Sequence, residues 1–168
     1  MKNKRPKLKI PFDTFDIIIE CVTIALLFAM WLYVITEYSS LSETVASHFN
    51  VRGEADDYKR KSIVFIIPTI AIFLYALLFI INKFPHLHNY MVNITLDNAY
   101  KNYRFSTRIL RVVNFICVSL MAYITYYIIE SAKGQEMPLG SLFMPLVIGF
   151  SILLPVVILL YQRKLNKE

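Results

Sequence analysis

The sequence predicts an all-α integral membrane protein, a bundle of four transmembrane helices, on three observations. The 168 residues are 57% hydrophobic and only 18% charged, with a mean hydropathy of +0.51. A soluble domain carries about a quarter charged residues. The charges are collected into blocks that separate four apolar runs, and about twenty apolar residues suffice to cross a bilayer. The formal net charge of +6 and pI near 9.3 do not point to nucleic acid. The basic residues flank the apolar runs, as positive-inside anchoring requires, and form no basic domain of their own.

The first span is predicted over about residues 15–38. The basic segment before Asp13 resembles the start of a signal peptide. The apolar run behind it is too long and has no small-residue cleavage pattern, so an uncleaved anchor is expected. Asp13, Asp16 and Glu20 recur at helical spacing and fall on one stripe at about 100° per residue. Asp13 is expected to sit among lipid headgroups. Glu20, a turn deeper, is expected to face protein, because a carboxylate in the membrane is costly.

An external loop over residues 39–62 follows, then a second span over 63–81, nineteen residues without a charge. Pro68 is placed in its second turn, as a bend. Residues 82–106 are predicted to be cytoplasmic. There Pro85 ends the second helix. The His86 and His88 pair would point apart on a helix and lacks a further ligand, so no metal site is expected. Thr95 is a candidate N-cap with Asp97 in the first turn, and the third helix is expected to begin near Leu96.

The third span covers about 107–129. Arg104, Arg108 and Arg111 share one stripe, with Asn114 a turn deeper. Snorkelling to the interface suffices for Arg104 and is an alternative for Arg108. The acidic stripe of Asp16 and Glu20 is expected to meet the basic stripe, with Glu20 paired to Arg111 or Arg108. Tyr123, Tyr126 and Tyr127 form an aromatic belt at the far end. After a short link the fourth span runs over about 142–161, with Pro145 in its first turn and Pro155 in its interior. Cys21 and Cys117 lie within apolar runs and read as packing residues.

Topology follows from Lys and Arg. Thirteen lie in the N-terminal segment, residues 82–111 and the C-terminus, against five in the other two connections. Both termini are therefore expected in the cytoplasm and the 39–62 loop outside. That loop is much longer than the two to eight residues a plain helix connection needs. Gly53 supplies a tight turn that folds His48, Phe49 and Asn50 back toward Asp56 and Asp57, with Lys61 anchoring the return. Val45, Phe49, Val51 and Tyr58 are expected to pack on the bundle, Asn50 and Asp56 to brace the turn, and His48 to meet a carboxylate of Asp56 or Glu37.

The succession Leu41, Val45, His48-Phe49-Asn50, Gly53, Asp56, Tyr58 and Lys61 resembles the signature of a family of bacterial membrane domains of unknown function. That domain also forms the N-terminal half of Sdp-type immunity proteins, which protect a cell from a secreted killing peptide. Ser42, Ala46 and Ala55 stand where the family pattern has prolines. The resemblance extends through Asn89-Tyr90, Ile94-Thr95, Asn98-Ala99, Tyr103-Arg104 and Arg108. It implies a multi-pass protein of the bacterial cytoplasmic membrane whose partner is a secreted peptide or another membrane protein, met through His48, Phe49, Asn50, Gly53, Asp56 and Lys61. Full-length Sdp-type proteins carry further helices beyond this domain that the present sequence does not contain.

Three function classes are compatible with these residues. The leading one is a non-enzymatic binding or protection module. The second is a small transporter or channel component with a polar path lined by Asp16, Glu20 and Arg111. The third is an enzyme using His48 beside Asp56 and Lys61. No nucleophile, metal cage or cofactor motif accompanies that histidine, so no catalysis and no cofactor are expected.

Overall fold

The computed structural model describes residues 5–134, 140 and 142–167. Four helices are long and apolar enough to cross a membrane: α1 (Thr14–Glu37), α2 (Ile66–Asn82), α3 (Leu96–Ala132) and α4 (Phe143–Leu165). The architecture is not purely helical. The connection between α1 and α2 contains two antiparallel strands, β1 (Thr44–Phe49) and β2 (Ala55–Arg60). The all-α expectation is corrected at this point, because Thr44, Val45, Phe49 and Tyr58 favour extended backbone on either side of a glycine turn. Half of the 130–141 link, residues 135–139 and 141, and the first basic residues used for the topology count, lie outside the described residues.

Two of the helices open on side-chain caps. Asp13 accepts from the amide of Asp16 (2.9 Å) and donates its own amide to the Asp16 carboxylate (3.1 Å), a capping box that opens α1. Thr95 and Asn98 form the equivalent box for α3, which starts at Leu96 well before its apolar stretch. A 3₁₀ turn over Lys61–Phe65 leads into α2. Pro68 is therefore the third residue of that helix rather than a second-turn bend. Its missing amide hydrogen falls among groups without a helical partner anyway. After Asn82 a 3₁₀ turn over Pro85–Leu87 carries the chain away. α4 runs unbroken through Pro155.

α3 is the spine of the bundle, packed along α1 and α2. Leu27 and Met30 of α1, Ala71 of α2 and Val118 of α3 meet at mid-height. Val34, Val64, Ile128 and Ile129 close one end, and the hairpin contributes Leu41 and Val45 to the same cluster. Tyr90, Ile94, Ala99 and Tyr103 close the other end. That second end also holds the N-terminal segment. Arg5 Nη1 donates to the carbonyls of His86 (3.2 Å) and His88 (2.6 Å), and Tyr103 donates to the carbonyl of Pro6 (2.9 Å). α4 is peripheral, meeting α3 through Phe105 stacked on Tyr161 and a reciprocal amide pair between Asn102 and Asn166.

The hairpin thus lies at one end, and the N-terminal segment, the 83–95 connection and the end of α4 lie at the other. A single cysteine introduced at Glu43 or Lys133, in a chain lacking Cys21 and Cys117, should react with an impermeant thiol reagent in intact cells or spheroplasts. One introduced at Asn89 should be protected until the membrane is opened. The inverse pattern would place the hairpin in the cytoplasm.

Candidate functional site

Among the described residues two main constellations carry the polar chemistry, one on each side of the apolar mid-section. The first is the hairpin. Gly53 adopts φ +78°, a left-handed conformation open to glycine at little cost. Asn50 fixes the turn around it. Its Oδ1 accepts from the amides of Arg52 (2.8 Å) and Glu54 (3.1 Å), and its Nδ2 donates to the Glu54 carboxylate (2.9 Å). Asn50 is therefore the brace of the turn. Asp56 plays no part in bracing it. The Asp56 Oδ1 instead lies 2.5 Å from His48 Nδ1, across the two strands. Between the two carboxylates considered for His48 the structure selects Asp56. Glu37 is held elsewhere, by Lys133.

β1 and β2 differ sharply in burial. Val45 and Ala46 are buried against the bundle and Phe49 packs on the same cluster, whereas β2 is open to solvent along nearly its whole length. Val51 and Tyr58 are corrected here. They are 77% and 58% exposed, because the turn and the outer strand project away from the helices. Register shifts around His48 break the regular pairing of the strands and set that side chain on the open surface. Lys61 closes the loop, 3.1 Å from Glu43 and over the ring of Tyr38. Ser47 donates to Asp57 (2.7 Å) and, with the Tyr58 amide and Lys59, holds that carboxyl below the usual range.

Beneath the hairpin, Lys133 ties α1 to α3. Its Nζ lies 2.8 Å from Glu130 and 2.7 Å from Glu37, and Tyr33 donates to Glu130. Those two carboxylates, Glu130 foremost, raise the Lys133 ammonium above the ordinary lysine range. The sequence pattern offers Glu37 only as a candidate partner of His48 and does not point to this network. The available signal was two acidic residues and one lysine at the C-terminal ends of α1 and α3, which run parallel.

The second constellation is a ladder between α1 and α3. Asp13 is engaged by both Arg104 and Arg108. Asp16, fully buried, lies 3.1 Å from Arg111 Nη1 and 3.4 Å from Arg104 Nη1. Arg111 Nε lies 3.4 Å from Glu20, which also accepts from Tyr75 (2.9 Å). Three carboxylates thus face three guanidinium groups. Plain snorkelling for Arg104 is corrected, because its guanidinium is ion-paired with Asp13 and Asp16. The capping role of Asp13 turns its carboxylate toward α3, and the Asp16 amide and both arginines keep it ionised below the usual carboxylate range. Tyr75, from α2, was not foreseen as a partner. His88 is also structural, with Nδ1 2.6 Å from Ser106 Oγ and Nε2 3.1 Å from the Ile81 carbonyl. Among the described residues no cluster of three or more His, Cys, Asp or Glu is arranged to hold a metal.

This is a membrane protein built of four apolar helices with a small extramembrane hairpin. Residues 25–72 match a family model described as Domain of unknown function (DUF1648). The matched stretch takes in the C-terminal part of α1, the whole hairpin and the start of α2, so the similarity centres on the hairpin constellation. An uncharacterized protein of Archaeoglobus fulgidus is 36% identical over 83 residues, covering 48% of this chain. The chain spans 44% of that relative's length, less than half. No solved structure matches the chain.

Proposed function

We propose that the protein is a non-enzymatic membrane module that binds a peptide or another membrane protein through the external hairpin. In this reading it is a multi-pass protein of a bacterial cytoplasmic membrane with both termini inside. The observation that carries the reading is the asymmetry of the hairpin: β1 is cemented to the bundle while β2 and the turn stand free. A connection that only linked α1 to α2 would need neither strand. The exposed surface combines an aromatic and an aliphatic side chain, Tyr58 and Val51, with the His48–Asp56 pair and the charges of β2. Such a mixture suits a peptide with both apolar and polar contacts. Protection against a secreted peptide, the role implied by the resemblance to Sdp-type proteins, is one form of this activity.

The ladder is better suited to holding helices than to conduction. Each of its carboxylates is already engaged by an arginine, and a transport path would need groups free to exchange partners. Reconstituted liposomes should accordingly show no ion flux above background. His48→Gln and Asp56→Asn should leave expression and thermal stability within about 0.5 kcal/mol, as for surface substitutions generally. Both should abolish partner binding or protection in cells challenged with the peptide. Full activity in both variants would reduce the hairpin to a lid and move the search for function between the helices.

A further inference from the structure

A second polar feature lies away from the hairpin. A cavity of about 260 Å³ opens at the opposite end of the bundle, between the N-terminal segment, the end of α2 and the middle of α3. Phe12 and Phe79 give it apolar walls, and Phe12 stacks on the Arg111 guanidinium at 4.1 Å. Lys9 and Lys83 line it as exposed cations, the Lys83 ammonium lying over Phe79 at 4.8 Å. Glu20, Asn82 and Arg111 also line it, at 9%, 8% and 5% exposure.

Two of these buried groups are incompletely satisfied. Asn82 Nδ2 donates to the Thr107 carbonyl (3.0 Å), but Asn82 Oδ1 accepts no hydrogen bond. Arg111 Nε makes no hydrogen bond either, although Glu20 is its ionic neighbour. Buried polar atoms in native folds are almost always partnered, by protein, water or ligand. The cavity therefore presents at its buried side an unused acceptor, Asn82 Oδ1, an unused donor, Arg111 Nε, and the Glu20 carboxylate already held by Arg111 and Tyr75, with two cations at its exposed side.

We infer that this cavity seats the headgroup of a phospholipid that ends in a primary ammonium. The phosphate lies between Lys9 and Lys83, which bind it as point charges. The ammonium reaches Asn82 Oδ1 and Glu20. Its three N–H donors match an acceptor and a carboxylate, whereas a trimethylammonium offers no donor and a glycerol headgroup offers no positive charge. The setting supplies the source. The cavity lies where α1, α2 and α3 pass into basic connecting segments, at headgroup level for a chain that spans the bilayer. The ammonium takes up Asn82 Oδ1 while Arg111 Nε, a donor, is left to water, and the two cations at the mouth favour a phosphate over water alone.

The test is native mass spectrometry of the full chain, delipidated in detergent. It is titrated with synthetic lipids of identical acyl chains bearing ethanolamine, choline or glycerol headgroups, and separately with soluble phosphoethanolamine. The ethanolamine lipid should bind about tenfold more tightly than the choline lipid, the worth of one charge-assisted hydrogen bond. Asn82→Leu should remove that preference. Lys83→Gln, at an exposed site that folding does not depend on, should weaken all three lipids alike and leave the preference intact. Equal affinity for ethanolamine and choline lipids would overturn the assignment, as would unchanged binding in Lys83→Gln, which decides the matter if Asn82→Leu fails to fold. Soluble phosphoethanolamine binding as tightly as the lipid would assign the site to a free metabolite and overturn the lipid source.

Discussion

Arg111→Met should destabilise the bundle by about 3–5 kcal/mol, the cost of stripping one partner from a buried ionic network. Arg111 stands at the centre of the ladder, bridging fully buried Asp16 and Glu20. Without it Glu20 keeps only the Tyr75 hydroxyl, and Asp16 keeps Arg104 at 3.4 Å and Arg108 at 3.9 Å. Both carboxylates then remain in a medium that penalises uncompensated charge. The double variant Arg111→Met with Glu20→Gln should lose less than the sum of its parts, because it no longer leaves a naked carboxylate. Thermal unfolding in detergent measures both. If Arg111→Met and Glu20→Gln are each neutral, the ladder contributes nothing and the arginines reach the interface on their own.

Val45→Asp should detach the hairpin and leave the helices folded. Val45 is 1% exposed and belongs to the cluster that joins β1 to Val34, Val64 and Ile129. The substitution loses about 1.5–3 kcal/mol of apolar burial and adds an unpaired carboxylate to an apolar contact. The nearest relief is local opening, since the hairpin meets the bundle mainly through β1 and a short 3₁₀ turn. Limited trypsin digestion from the hairpin side should then cut at Lys59 or Arg60, whose backbone is paired with β1 in the wild type and slow to cleave there. Helix content should be unchanged. A variant that resists trypsin as the wild type does would show that β1 is not seated as described.

The helices were legible because their signals are redundant. Length, apolar continuity and caps such as Thr95 agree, so α3 starts at Leu96 as its cap chemistry predicts. The Gly53 turn was legible for a similar reason: one glycine, placed between a His-Phe-Asn run and an acidic pair, permits little else. The strands were not foreseen, because β1 is buried on one side by helices distant in sequence, and β2 shows no apolar alternation. Val51 and Tyr58 were misplaced on the general rule that apolar side chains go inside. That rule runs only one way, and an exposed aromatic on a seated hairpin is the informative case. In the ladder, spacing alone put the two stripes on α1 and α3. What it could not supply was the role of Asp13, whose capping geometry aims its carboxylate at Arg104 and Arg108. The Tyr75 contact depends on how α2 is rotated, which no local pattern encodes.

If the hairpin is the face that meets a partner, a photo-crosslinking residue in place of Tyr58 should capture that partner. Irradiation is done in intact membranes while the peptide or partner is present. The same residue in place of Leu159 on exposed α4 serves as the control. The expected result is one discrete protein or peptide adduct from position 58, lost when Val45→Asp is added, and only lipid adducts from position 159. An adduct confined to position 159, or a position 58 adduct indifferent to Val45→Asp, would contradict the hairpin's role as the binding face.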